Sequence, residues 1–189
     1  MKNIAIFASG NGSNFEAVAA AAIRGEIAAN VSLLVCDKPG AKVIERAARL
    51  GIPTFVLNPQ GFANRAEHEK QILAALKDAG VEFIVLAGYM RIIGEMLLWA
   101  YGGRIVNIHP SMLPDFPGMD AIAKAFESGA SHTGVTVHYV DEGVDTGPII
   151  AQRQMEILPG DTLESLEERV HRVEHEFYVE VLRNIFEMP

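Results

Sequence analysis

Through the first hundred residues, short apolar runs rich in β-branched side chains alternate with longer stretches of helical period. That alternation is the mark of successive βα units. The runs predict strands at about residues 3–7, 31–36, 54–57, 83–86 and 105–108, and the periodic stretches predict helices at about 15–24, 42–50, 66–79 and 94–100. Gly25, Gly51 and Gly80 each stand just past a helical stretch, where a residue of positive φ commonly ends a helix. Phe83, Ile84, Val85 and Leu86 follow one another without a polar interruption, which suits a parallel strand covered on both faces. The period then changes. Residues 135–140 alternate, a glycine-bearing loop follows, and 149–157 forms another run, so an antiparallel pair is expected to extend the sheet. The fold class expected is α/β, an open, mostly parallel, twisted sheet with helices on both faces and an antiparallel C-terminal addition.

Past residue 160, Leu163, Leu166, Val170, Val173, Phe177, Val181 and Ile185 recur at spacings of three and four behind the cap candidates Asp161 and Thr162. They predict one long amphipathic helix. On a wheel of about 100° per residue, Glu174 projects within roughly 20° of Leu163 and Val181, toward the apolar stripe. A carboxylate there either pairs with something or sits at the stripe's edge and reaches water.

Composition narrows the class of function. Among 189 residues, 16 Lys and Arg against 24 Asp and Glu give 16 − 24 = −8, which repels phosphate backbones and anionic lipid. No nucleic-acid or membrane partner is therefore expected. The opening MKNIAIFASGNG stops its apolar run at a glycine loop and lacks a signal-peptide pattern, no window approaches the roughly 20 apolar residues of a membrane span, and Cys36 is the single cysteine. A folded cytoplasmic protein is expected, read as one domain over residues 1–189, with no need of disulfides or structural metal.

Three segments carry candidate chemistry. Ser9-Gly10-Asn11-Gly12-Ser13-Asn14 follows the first strand and opens a helix. Backbone N–H groups at such a turn suit an anion, here a single phosphate group, because Phe15 occupies the third glycine position of the dinucleotide fingerprint and no Gly-Lys-Ser/Thr follows. The plainer reading is a glycine turn joining strand to helix. Asn107 and His109 are two apart at the end of the fifth strand, project on the same side, and precede the stiffening Pro110 and Pro114. Two donors aimed at one point suit a developing oxyanion, although a lone histidine is more often structural. Asp145, within Asp141-Glu142-Gly143-Val144-Asp145-Thr146-Gly147-Pro148, would favour the imidazolium form of His109 if the chain brought it near; otherwise the segment is a solvated acidic turn. His171-Arg172-Val173-Glu174-His175 fits the inverted zinc-protease pattern H-x-x-E-H, but only a few acids and no further histidine follow to supply the third ligand, so no metal is expected.

Together, SGNGSN at Ser9 to Asn14, VLAGYMRII at Val85 to Ile93, NIHPSMLPDFPG at Asn107 to Gly118, HTGVTVHYVDEGVDTGPI at His132 to Ile149 and VEHEFY at Val173 to Tyr178 resemble the folate-dependent formyltransferases. The resemblance covers nearly the whole chain. It implies a Rossmann-like fold, 10-formyltetrahydrofolate as cosubstrate, no metal, and glycinamide ribonucleotide as the amine acceptor in purine synthesis. By the same resemblance Asn107, His109 and Asp145 are the catalytic three. Gly12, Ser13 and Asn14 hold the ribose phosphate, and Glu174 meets the glycinamide end. Met90, Arg91, Ile92, Val140, Asp141 and Val144 cradle the pterin, with Arg65 and Arg91 reaching for the folate's glutamate carboxylates. Residues 1–100 form the phosphate-binding half and 101–189 the catalytic and folate-binding half. Met112 replaces a usual leucine, and Met119-Asp120 stands where some relatives have histidine, so no role carries over there. Rival readings are a formyltetrahydrofolate deformylase with water as acceptor, formyl transfer to methionyl-tRNA or to a sugar nucleotide, and a catalytically silent phosphate-binding module.

Overall fold

The structure is a computed structural model that describes residues 1–187. Its strands are β1 (Lys2–Ala8), β2 (Ala29–Cys36), β3 (Thr54–Val56), β4 (Phe83–Leu86), β5 (Ile105–His109), β6 (His132–Tyr139) and β7 (Ile149–Glu156). They form one sheet in the order β3-β2-β1-β4-β5-β6-β7. Pairing is parallel from β3 to β5 and antiparallel at β5–β6 and β6–β7, as the change of period from continuous to alternating runs predicts. The helices are α1 (Ser13–Ile23), α2 (Lys42–Arg49), α3 (Arg65–Asp78), α4 (Glu95–Ala100), α5 (Ala121–Glu127) and α6 (Leu163–Glu187). Gly25, Gly51 and Gly80 all take positive φ just past their helices.

The period of two along each strand sorts side chains into two cores. Ile4, Ile6 and Ala8 of β1 pack with Phe15 and Val18 of α1, Val43 of α2, and Leu166, Val170 and Phe177 of α6. Ala5 and Phe7 face the other way, against Ile72 and Leu76 of α3 and Leu97 of α4. Ile105 of β5 belongs to this second core, so Asn107 and His109, which share its parity, lie on the same face. Helices cover that face over β1 and β4. Over β5 and β6 loops take their place, and the pocket opens there.

Two elements escape the sequence pattern. The helix α5 has only seven residues, with Ala121, Ile122 and Ala125 buried, too few to show a period. A 3-10 turn at Pro59–Gly61 is capped by Asn58 Oδ1 accepting from Gln60 N at 3.0 Å, a local contact without an apolar signature. Among the described residues no helix is long and apolar enough to cross a membrane.

Candidate active site

A cavity of about 540 Å³ is lined by residues 88–93, by Asn107, His109 and His138, and by the 140–147 loop. Of the residues singled out in the sequence, it gathers Asn107, His109, Asp145, Met90, Arg91, Ile92, Val140, Asp141 and Val144. Gly12, Ser13, Asn14, Glu174 and Arg65 are not in its wall. Its walls come from both sides of residue 100.

Strand register builds the polar corner. Antiparallel pairing sets Asn107 opposite His138 and His109 opposite Thr136, so these four side chains share one face. The loop after β6 begins beside the amino end of β5, where Val140 N donates to Ile105 O at 3.0 Å, and Asp145 reaches the same face from there. Its carboxylate lies between two imidazoles, Oδ2 at 3.4 Å from His109 Nδ1 and Oδ1 at 3.6 Å from His138 Nε2, and Gly118 N donates to Oδ2 at 2.8 Å. Burial pushes the Asp145 carboxyl up. The contact with His138, the Gly118 amide and the neighbouring imidazoles outweigh that and hold it below the usual carboxylate value.

Acceptors fix the tautomers. His109 Nε2 stands 2.8 Å from Phe116 O, which only accepts, so that nitrogen carries a proton and Nδ1 is left to face Asp145. A charged His109 spends both its donors on the protein here. His138 Nδ1 donates to Tyr139 O at 2.8 Å, and in the neutral ring Nε2 then accepts from Asn107 Nδ2 at 3.3 Å. That bond orients the Asn107 amide. His138 is 2% exposed, and sequence reasoning assigned it no role, because a histidine in an alternating strand reads as an ordinary polar position.

The loop that follows β5 is pinned from the next two strands. Thr136 Oγ1 donates to Ser111 O at 2.7 Å and accepts from Leu113 N at 3.1 Å, while Gln152 Nε2 donates to Leu113 O at 2.8 Å. Phe116 and Asp145 both take positive φ, 49° and 55°. For a bulky aromatic residue that is a strained conformation, and it aims the Phe116 carbonyl at His109. Asp141 Oδ1 accepts from Gly143 N at 3.0 Å and Thr146 Oγ1 at 2.7 Å, so this acid folds its own loop, and those bonds lower its pKa.

The glycine loop is a second, separate feature. Gly12 caps α1 with φ 79°, and a Cβ there would stand 2.5 Å from Val43 Cγ2, so glycine is required by packing as well as by conformation. Arg46 of α2 donates to Asn11 O at 2.7 Å, to Asn11 Oδ1 at 3.1 Å and to Glu16 Oε2 at 2.7 Å, which leaves the N–H groups at the start of α1 held in place. Glu174 is 4% exposed and accepts from His171 Nδ1 at 2.7 Å; of the two readings of this acid, the paired one holds. That bond raises the His171 pKa against an opposing effect of burial. Arg65 starts α3 as an exposed residue. Among the described residues no group of three or more His, Cys, Asp or Glu side chains is arranged to hold a metal ion.

Known proteins are similar to this chain over nearly all of its length. Residues 2–182 match the family described as formyl transferase. The phosphoribosylglycinamide formyltransferase of Bacillus subtilis (strain 168) is 55% identical over 185 residues, 98% of this chain and 95% of that protein. The human trifunctional purine biosynthetic protein adenosine-3 is 36% identical over 95% of this chain, which spans 18% of that longer protein. The crystal structure of glycinamide ribonucleotide transformylase 1 from Geobacillus kaustophilus superposes with a TM-score of 0.96 at 60% identity, covering 98% of this chain and 99% of that one.

Proposed function

Because the chain belongs to the formyl transferase family, we propose that it transfers the formyl group of 10-formyltetrahydrofolate to the primary amine of glycinamide ribonucleotide, a step of purine synthesis. The observation that carries this reading is the cluster of Asn107, His109, His138 and Asp145 in a pocket that the 88–93 loop also lines. The pterin lies against Met90, Arg91 and Ile92 and the loop of Val140, Asp141 and Val144, and Arg91 and Arg65 attract the carboxylates of the folate tail. The phosphate of the ribonucleotide is held by the backbone of Gly12, Ser13 and Asn14 at the start of α1. Glu174 receives the glycinamide end. Residues 1–100 supply the phosphate-binding half and 101–189 the catalytic side chains, with residues 1–189 acting as one domain.

The chemistry asks for three things. The amine nitrogen attacks the formyl carbon, forming a C–N bond and a tetrahedral oxyanion. Asn107 Nδ2 and His109 donate to that oxygen, His109 exchanging the Phe116 carbonyl for it, each donor lowering the barrier by about 3 kcal/mol. Asp145 sets its carboxylate against His109 Nδ1 and takes up the amine proton, directly or through water. The intermediate then collapses, the bond to N10 of the folate breaks, and N10 leaves as tetrahydrofolate carrying the proton that the amine gave up. Asp145 is suited to the charged role, since it stays ionised at neutral pH.

Incubation with 10-formyltetrahydrofolate, with and without glycinamide ribonucleotide, tests the proposal. Tetrahydrofolate and formylated ribonucleotide formed in equal amounts, only when the amine is present, is the expected result. Tetrahydrofolate formed without the amine would make water the acceptor and the protein a deformylase.

A further inference from the structure

Ser9 opens one substrate-binding loop, bonds to the other and does not line the pocket. It is 1% exposed, follows β1 directly, and begins the glycine loop. Its amide donates to Gly88 O at 3.1 Å and its hydroxyl accepts from Met90 N at 2.8 Å, so both backbone and side chain are tied to the loop that walls the pocket. One residue later, Gly10 O accepts from Val43 N at the start of α2, 3.0 Å away. The other anchors of the 88–94 loop come from elements without a place in the glycine loop. Arg91 Nε donates to Asp37 Oδ2 at 3.0 Å, and Gly94 N donates to the buried Glu69 Oε2 at 2.6 Å. Among these three side-chain anchors of the 88–94 loop, only Ser9 belongs to the glycine loop.

Resting on the functional reading above, we propose that Ser9 is a positioning residue that couples the ribonucleotide loop to the folate loop, so that filling one site strengthens binding at the other. The Met90 amide takes its place from a hydroxyl whose backbone opens the phosphate cradle. A ligand that orders either loop orders Ser9 with it, and the second ligand then meets a loop already partly fixed, which is positive coupling without a change of shape. Coupling of this kind is reciprocal, so each ligand must improve the other by the same factor.

Calorimetric titration with tetrahydrofolate, which has no formyl group to transfer, measures the factor when run alone and with saturating glycinamide ribonucleotide, and again with the ligands exchanged. The wild-type ratio is expected to be at least about fivefold in both directions. In Ser9→Ala it falls close to one, while each ligand alone still binds within a few-fold of wild type. Ser9→Cys, which keeps the shape with a weak acceptor, moves the ratio the same way. Ile72→Val, in α3 and outside both loops, loosens the core and keeps the ratio, which separates positioning from general loss of stability. A wild-type ratio of one, or an unchanged ratio in Ser9→Ala, overturns the coupling while leaving the enzyme's activity in place. Failure of both ligands to bind alone overturns the functional reading, and this proposal with it.

Discussion

The β5–β6 corner and the β1–α1 turn offer substrates two different kinds of surface. At the corner, Asn107, His109, His138 and Asp145 are held by one another, and what they offer depends on the identity of each side chain. At the turn, the offer comes from backbone N–H groups, and side chains matter only for the path they allow, as Gly12 does with its φ of 79°. A polar cluster of the first kind fails chemically when one member is changed. A backbone cradle fails sterically. The two regions should therefore separate in the kinetics, the corner through kcat and the turn through KM for the ribonucleotide.

The widest separation is expected at His109 and Asp145. His109→Ala removes an oxyanion donor, and Asp145→Asn removes the charge opposite it while keeping a residue type that tolerates positive φ. Each should lower kcat by about a hundredfold or more, with folate affinity changed far less. Steady-state kinetics beside folate titration checks this, and near-normal kcat in either variant erases the distinction between the regions. Because the Asp145 pKa is held below 3.8, its carboxylate is ionised throughout pH 5 to 8, so activity lost in that range has another source.

His138→Ala sharpens the comparison inside the corner. With the ring gone, Asn107 keeps its amide but loses the acceptor that orients it, and Asp145 loses one of its two imidazoles. A fall in kcat of roughly tenfold to a hundredfold is expected, smaller than for His109 because the loss is one of aim. An effect on KM alone would place His138 outside the catalytic corner.

How far this corner was legible before the structure depends on which residues are local. The spacing of Asn107 and His109 predicts that they share a face, as they do, whereas the wheel position of Glu174 left open whether it pairs or reaches water. The pairing of Asn107 with His138 is a matter of register between strands 31 residues apart, which no local pattern encodes. Glu69 sits in Arg65-Ala66-Glu67-His68-Glu69-Lys70, a run that reads as the wet face of a helix, yet it is buried against the Gly94 amide. The strands were legible because a short, continuous run of β-branched apolar residues between glycine-marked turns suits a strand covered on both faces, whereas the seven-residue α5 was too short to show a period.

At the turn, Gly12→Ala should act through shape. The added Cβ meets Val43 Cγ2 at 2.5 Å and Val43 Cα at 2.9 Å, and a left-handed backbone costs an alanine about 1–2 kcal/mol. The ribonucleotide KM should rise several-fold and Tm fall by roughly 2–8 °C, with kcat nearly kept. Adding Val43→Ala relieves the contact with Cγ2 but not with Cα, so only part of the loss returns. Full recovery would mean that the left-handed backbone at Gly12 is unimportant, and an unchanged KM would reduce the loop to a turn.

The smallest expected effect concerns Glu174, which is bonded to one histidine and stands next to another. Its bond raises the His171 pKa above 6.5, and this stabilisation is complete below that pH and is lost as pH rises through the raised value. Burial lowers the His175 pKa, with Glu174 opposing and His171 and Arg46 adding to the shift, so His175 favours the fold above pH 6.5 and loses that advantage as pH falls through the lowered value. Among the described groups held away from their ordinary values, these two are the ones whose ordinary value lies between pH 5 and 8, and they act in opposite senses on either side of 6.5. Stability should therefore be greatest near pH 6.5 and decline gently both ways, most of the solvent-facing His171 contribution being screened. Glu174→Gln leaves an acceptor for His171 but removes the charge, so the decline above pH 6.5 should flatten while the decline below it persists. Thermal melting of both proteins from pH 5 to 8 decides the matter, and an equal slope above pH 6.5 would show that Glu174 does not set the charge of His171.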